Sequence, residues 1–335
     1  MHVGRRVLPL KLEEIPTKIT VLGVGNCGNN AINNLASSGI EVAKLVAVNT
    51  DVNVLRNVMA HENVQIGESV LKGRGTGGDI AKGRSAAEED LDKVLNAVGD
   101  PDLVIAVAGL GGGTGSGALP VILSAIREEN PEITIMSVVT LPFRYEGVER
   151  MKNAQAGLRE TIIRSDTTIV NMNDMLLEKF GEIPVRESFK IMDDVLLKTI
   201  IGLVDMIDPR GAAIRTDFSD FVSVIKRSGV GFVGHGQHGN IKKAVSRAIE
   251  SRLLDADPSS AHGALLYLTV HGTVSLSEAS EAPRLINEKY GIERLSWGLK
   301  VKEMIRMPSV MVVATGVSSK TISELIGDVG ALIKE

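Results

Sequence analysis

A single cysteine, Cys27, stands in 335 residues, which excludes a disulfide framework and a cysteine-built zinc site. Aromatic residues make up only 3%. No apolar run approaches the roughly 18–20 residues a membrane span needs. The opening stretch Met1–Lys11 carries charges but no apolar core long enough for a signal peptide, so direct membrane insertion is not expected. Net charge is −4, which leaves no electrostatic footprint for nucleic acid. Any polyanion must therefore be held locally, by backbone amides or a few placed cations. What remains is globular in composition, 44% hydrophobic and 23% charged, and long enough to suggest two domains. Glycine, by contrast, is plentiful at 35 residues, and it is clustered rather than spread.

Residues 1–17 read as a flexible arm ending at Pro16. From Lys18 to about Asp208 short β-rich runs alternate with longer amphipathic stretches. Lys18–Leu22, Leu45–Val48, Leu103–Val107 and Thr134–Val139 are near-continuously apolar and read as buried strands. Helical patterns lie between them at Asn29–Ser37, Gly83–Ala97, Leu119–Glu129 and Arg150–Ile163. This alternation predicts an α/β fold with a doubly wound parallel sheet. Val185–Ile207 reads as one long helix, apolar nearly all round, buried between two layers; Asp208-Pro209-Arg210-Gly211 stops it. Beyond it, strands at Gly263–Val270, Leu295–Val301 and Val310–Thr315, with helices near Ile241–Leu253 and Ser277–Tyr290, predict a smaller α+β C-terminal domain over residues 209–335. The first domain would span residues 18–208, central helix included.

The glycine clusters carry the chemistry. Gly23-Val24-Gly25-Asn26-Cys27-Gly28 follows a strand and opens a helix, and Asp51 lies where a dinucleotide fold places its ribose acid. Alone, that is a weak dehydrogenase fingerprint. Gly111-Gly112-Gly113-Thr114-Gly115-Ser116-Gly117 also joins a strand to a helix. Its small residues let backbone amides converge on one point, and the helix adds its positive end. Such a loop holds phosphates; lacking a lysine, it is not a Walker A loop, and the charge must be met by amides, hydroxyls and a metal. A third cluster, Gly73–Gly78, contains Gly75, Thr76 and Gly77. Three such loops at strand ends indicate a polyphosphate at the sheet's ligand-binding crest.

With these residues in hand, the chain resembles the tubulin/FtsZ family of GTPases, its prokaryotic cell-division branch in particular. The likeness runs from about Thr17 to about Val317. It rests on Gly23–Asn30, Asn49-Thr50-Asp51, Gly73–Gly78 leading into Gly83–Glu88, the Gly111–Gly117 loop, Pro142–Gly147, Asn173-Asp174 and Asp217-Phe218-Ser219-Asp220. The resemblance implies that GTP or GDP is held with Mg²⁺ bound through the nucleotide phosphates and no metal ligated by protein side chains alone. Thr114 and Gly115 would touch the α- and β-phosphates, and Gly75–Gly78 would sense the γ-phosphate. Glu146 would accept from the ribose hydroxyls and Arg150 would fix the nucleotide, both following Pro142 at a strand end. Asn173, Phe189 and Asp193 would recognise guanine, the carboxylate accepting from N1 and the exocyclic amine while Phe189 stacks. The rest of the first loop, with Gly25, Asn26, Cys27 and Asn30, would line the same site.

Asp217 and Asp220 lie one turn apart at a predicted helix start, where acids are also simply stabilising. In the resembled family this pair orients the attacking water, and it does so in the neighbouring subunit's site. A contact of that kind does not close on itself and generates a filament. The implied partner is a second copy of the chain, with division-ring or membrane-tethering proteins beside it, in the cytoplasm at the division site. Two departures stand out. Arg215 occupies a position usually held by Asn, and Asn26 one usually held by Gly. Arg215 could stabilise transition-state charge or over-stabilise the bound state. Asn tolerates positive φ, so the first turn is expected to survive. The chain ends at Glu335 without the linker and terminal peptide common in the family; trimming and docking elsewhere both account for that. Two alternatives remain at this level: a slow or non-hydrolysing regulatory relative, and an NAD-dependent oxidoreductase built on Gly23–Gly28.

Overall fold

The computed structural model describes residues 17–208, 210 and 212–333; all but the last residue of the arm read over residues 1–17 lies outside that range, as do Pro209 and Gly211. The first half runs β1 (Ile19–Val24), α1 (Gly25–Ser37), β2 (Ala43–Asn49), α2 (Val52–Leu55), β3 (Glu62–Gln65), α3 (Glu68–Leu71), α4 (Ile80–Glu89) and α5 (Leu91–Val98). Then come β4 (Leu103–Gly109), α6 (Gly113–Glu129), β5 (Thr134–Leu141), α7 (Val148–Arg164), β6 (Thr167–Met172), α8 (Asn173–Phe180) and α9 (Val185–Ile207). The second half holds β7 (Ala212–Ile214), α10 (Phe218–Ile225), β8 (Gly229–Gln237), α11 (Ile241–Glu250), β9 (Ala256–Asp257), β10 (Gly263–Val270) and α12 (Leu276–Tyr290). It closes with β11 (Leu295–Val301), β12 (Ser309–Thr315), β13 (Ser318–Ser319), α13 (Lys320–Ile326) and α14 (Val329–Leu332).

One sheet of eleven strands, ordered β3-β2-β1-β4-β5-β6-β8-β12-β10-β11-β7, spans the described residues. It is parallel from β3 through β8, then mixed. The two halves meet in a short ladder, Thr167↔Gly229 to Ile169↔Gly231. Strand side chains alternate between faces, and each face buries its own core. Leu22 and Val24 of β1 join the layer with Leu119, Ile122 and Leu158; Ile19 and Val21 join the layer with Ile32, Leu196 and Leu203. α9 therefore lies against the sheet with Leu196, Ile200, Leu203 and Val204 buried. Truncating one such side chain to alanine costs about 2–5 kcal/mol.

The parallel α/β sheet, the bounds of the long central helix and the mixed C-terminal part stand as the sequence predicts. The helix is not buried all round, however: Arg186, Glu187, Phe189, Lys190, Asp194 and Lys198 are exposed. The helix predicted over Gly83–Ala97 is two. Asp90 breaks it, accepting from Gly67 N at 2.7 Å and pairing with Lys93, and α5 restarts from that residue. α1 and α6 begin at Gly25 and Gly113 rather than at Asn29 and Leu119; glycines that suggest loop form their first turns. Strand β8 escapes notice because its glycines resemble a loop. They let α11 lie directly on the strand: a Cβ on Gly234 would fall 1.7 Å from Ala248 O.

Candidate nucleotide-binding cleft

The carboxyl ends of β1, β2, β4, β5 and β6 open onto a cleft of about 730 Å³, the crest where parallel α/β sheets take ligands. Its first wall is the β1–α1 turn. Gly25 carries the left-handed conformation (φ 72°), while Asn26 does not. The turn thus survives for a reason other than the expected tolerance of Asn for positive φ. Gly25 packs beside Gly115, where an added Cβ would lie 3.4 Å from Gly115 N. Thr50 and Thr114 hydroxyls meet at 3.1 Å, joining the end of β2 to the second loop.

That second loop is the start of α6, a 17-residue helix, so its amides and the helix's positive end face the cleft. Ser116 turns inward instead, its Oγ accepting from Gly111 N at 2.8 Å. Gly117 is likewise packed under α4, where a Cβ would sit 2.3 Å from Ile80 O. Neither of these two lines the cleft; Gly111, Gly112, Gly113, Thr114 and Gly115 do. Gly75, Thr76 and Gly77 line the cleft with Asp51, and Thr76 packs beside the second loop, where a Cβ on Gly113 would fall 2.4 Å from its Oγ1. Asn153 of α7 links the second and third loops by donating to Gly78 O (2.7 Å) and Gly111 O (3.2 Å).

At the other end Pro142 leads into a 3₁₀ turn, Arg144–Glu146. Glu146 accepts from Phe143 N at 2.9 Å and pairs with Arg150 one helical turn on. Phe143 stacks on Tyr145 with ring centroids 4.8 Å apart and meets Phe189 edge-on at 6.1 Å. Phe189 is 51% exposed and lines the cleft, although its place in an apolar helix pattern suggests core. Asn173, Met192 and Asp193 complete this end. Burial, and then the neighbouring Asp194, raise the Asp193 carboxyl above the ordinary carboxylate range. Burial raises the Cys27 thiol too, against a 3.6 Å contact with Thr140 Oγ1.

Gly25, Asn26, Cys27, Asn30 and Asp51 thus share one cleft with the phosphate-type loops and with Pro142, Glu146, Arg150, Asn173, Phe189 and Asp193. Asn49, Thr140, Tyr145 and Met192 also line it; a hydroxyl residue near the carboxyl end of the apolar β5 run is the available signal for Thr140. Arg215, Asp217 and Asp220 do not line it. They follow α9, whose axis carries the chain roughly 22 Å from Asp193 to Asp208 at 1.5 Å per residue. Asp217 caps α10, accepting from Ser219 N at 3.0 Å, and Asp220 lies in that helix's first turn. These bonds, with the Arg215 charge as a lesser contribution, hold the Asp217 carboxyl below its usual range. Among the described residues no group of three or more His, Cys, Asp or Glu is placed to hold a metal, and no helix is long and apolar enough to cross a membrane.

The fold and the cleft are those of the tubulin/FtsZ class of GTPases. Residues 18–181 match the Tubulin/FtsZ family GTPase domain, and residues 229–318 match the FtsZ family C-terminal domain. Cell division protein FtsZ of Haloferax mediterranei is 39% identical over 96% of this chain and 85% of its own length. Cell division protein FtsZ 1 of Pyrococcus woesei is 38% identical over 93% and 86%. A solved structure of an empty FtsZ dimer from M. jannaschii superposes with a TM-score of 0.85 at 37% identity, covering 91% of this chain and 90% of that one. The chain belongs to the FtsZ family of cytoskeletal cell-division GTPases. That membership replaces the dinucleotide reading of Gly23–Gly28.

Proposed function

We propose that this chain binds GTP in the cleft, polymerises head to tail, and hydrolyses GTP to GDP and phosphate only where two subunits meet. The backbone amides of Gly111–Gly115 and the α6 N-terminus would neutralise the α- and β-phosphates, while Gly75–Gly77 sense the γ-phosphate. Glu146 and Arg150, already paired, would hold the ribose end; Asn173 and Asp193 would read guanine beside Phe189. Mg²⁺ would be carried by the nucleotide phosphates, where it offsets developing charge.

One observation carries the polymerisation: the acids Asp217 and Asp220 lie beyond the far end of α9 from the cleft that needs them. Supplied by the next subunit, they would orient a water for in-line attack on the γ-phosphorus as its bond to the β-phosphate oxygen breaks. Residues 18–208 would then be the GTP-binding unit and residues 209–335 the activating one, with further division-ring or membrane-tethering proteins as partners at the cytoplasmic division site. The charge of Arg215 beside Asp217 favours a second reading, a slow regulatory member of the same family.

A mixing experiment tests the shared site. Asp217→Asn should bind GTP and assemble yet hydrolyse it poorly, and Thr114→Arg should block the phosphate loop while keeping both acids. Mixed, they should recover part of the activity, because only junctions of one orientation are complete. Turnover per wild-type subunit should also rise with protein concentration above a threshold. A mixture as inactive as its parts, with concentration-independent wild-type turnover, would place catalysis within one chain. Assembly with slow turnover at every concentration would favour the regulatory reading.

A further inference from the structure

Three asparagines stand in a row beneath the first phosphate-type loop, and their hydrogen bonds fix one another's orientation. Asn29, fully buried, donates its Nδ2 to two backbone carbonyls, Gly23 O at 3.1 Å and Val48 O at 3.4 Å. Carbonyls only accept, so the other end of that amide must be oxygen, and it accepts from Asn49 Nδ2 at 2.7 Å. Asn49, also buried, has its own orientation fixed from the opposite side. Its Oδ1 accepts from the backbone N–H groups of Thr50 (2.9 Å) and Asp51 (3.2 Å), which only donate. The second Asn49 N–H is therefore a donor without choice, and it meets Asn26 at 2.9 Å. The Asn26 atom it meets must be the oxygen. Asn26 is exposed and lines the cleft, so its amide nitrogen is left on the open side of the relay, with no hydrogen-bond partner among the described residues.

We propose that the Asn26 side-chain amide donates a hydrogen bond to a phosphate oxygen of the bound nucleotide, its orientation imposed by the Asn29–Asn49 relay. The inference deepens the GTP reading above and rests on it. Position selects phosphate rather than base: Asn26 lies in the first turn of α1, beside Gly25, which packs against Gly115. Asn173, Phe189 and Asp193, at the other end of the cleft, belong to α8 and α9. Chemistry selects an anion rather than a metal, because an amide N–H is a donor and offers a cation no lone pair. A donor already turned toward the ligand loses little freedom on binding, which is how a single neutral amide comes to matter.

The test is calorimetric titration of the full chain with GTP, GDP and guanosine. Asn26→Ala removes the donor, and affinity for GTP and GDP should fall about tenfold or more, the scale of a lost hydrogen bond to a charged group. Guanosine, which has no phosphate, should bind as before. Asn26→Asp has the same shape and can still accept from Asn49, but it turns a carboxylate oxygen toward the phosphates, so nucleotide affinity should fall further while guanosine again holds. Unchanged GTP and GDP affinities in both variants would overturn the proposal. So would an equal loss for guanosine, which would mean that Asn26 shapes the cleft as a whole. Wild-type protein that binds neither nucleotide would overturn the GTP reading itself, and this inference with it.

Discussion

Lys300 Nζ lies 3.0 Å from Asp205 Oδ1, and the Tyr267 hydroxyl donates to the same carboxylate at 3.2 Å. Asp205 belongs to the last turn of α9, and Lys300 to the strand on which β7 hangs, registered with Ala212. The pair thus joins the end of the central helix to the segment leading into Arg215, Asp217 and Asp220. Both side chains are about four-fifths buried, so removing one partner strands the other. Lys300→Met should cost about 2 kcal/mol, below the range for fully buried pairs, read as a lower thermal midpoint. GDP affinity should stay at the wild-type value, because the cleft lies at the other end of α9. An unchanged midpoint would mean that the pair contributes nothing net.

Asp193→Ala should reduce GTP affinity by about ten- to a hundredfold, since guanine's N1 and amino donors would lose a half-buried acceptor. Preference over ATP should shrink by the same factor. Burial raises this carboxyl's pKa, so GTP affinity should begin to fall with acidification at a higher pH than an ordinary carboxylate would dictate. GTP titrations of the variant against wild type over pH 4–7 check both points; unchanged affinity would move the base elsewhere.

His235 faces α9, its Nε2 3.2 Å from Thr199 Oγ1. Burial, and then the Lys198 charge, push its pKa down to about 4, with Asp194 opposing. The folded-state value lies below the unfolded one, so the unfolded chain takes up the proton first as pH falls. Stability associated with neutral His235 is complete above about pH 6.5 and is lost between there and about pH 4. Going from pH 7 to pH 5 should cost about 2 kcal/mol from this group. Thermal midpoints of wild type should fall over that interval more steeply than those of His235→Asn, which cannot titrate; parallel slopes would refute the assignment.

The strands with continuous apolar runs, such as Leu103–Val107, and the glycine loops at their ends were legible because burial on both faces and tight turns leave local marks. β8 was not, because its glycines serve the close packing of the helix that follows, α11, and leave no apolar run. The phosphate end of the cleft could be read from spacing. Phe189 and Asp193 could not: on a helix apolar nearly all round, only tertiary packing decides which positions face the cleft, and resemblance alone marked them. The asparagine relay joins residues from two elements through side-chain amides, and periodicity carries no trace of such bonds.

Gly113 and Gly83 touch across the α4–α6 contact so closely that a Cβ on Gly83 would fall 2.1 Å from Gly113 O, and one on Gly113 would fall 2.4 Å from Asp79 O. A glycine here answers to two masters, the ligand in front and the neighbouring helix behind. An alanine scan through the loop would therefore confound them: loss of nucleotide binding in Gly113→Ala would report a pried-apart helix pair as readily as a missing phosphate contact. Gly112, where an added Cβ meets nothing within 4 Å, is the position at which substitution interrogates the ligand side alone.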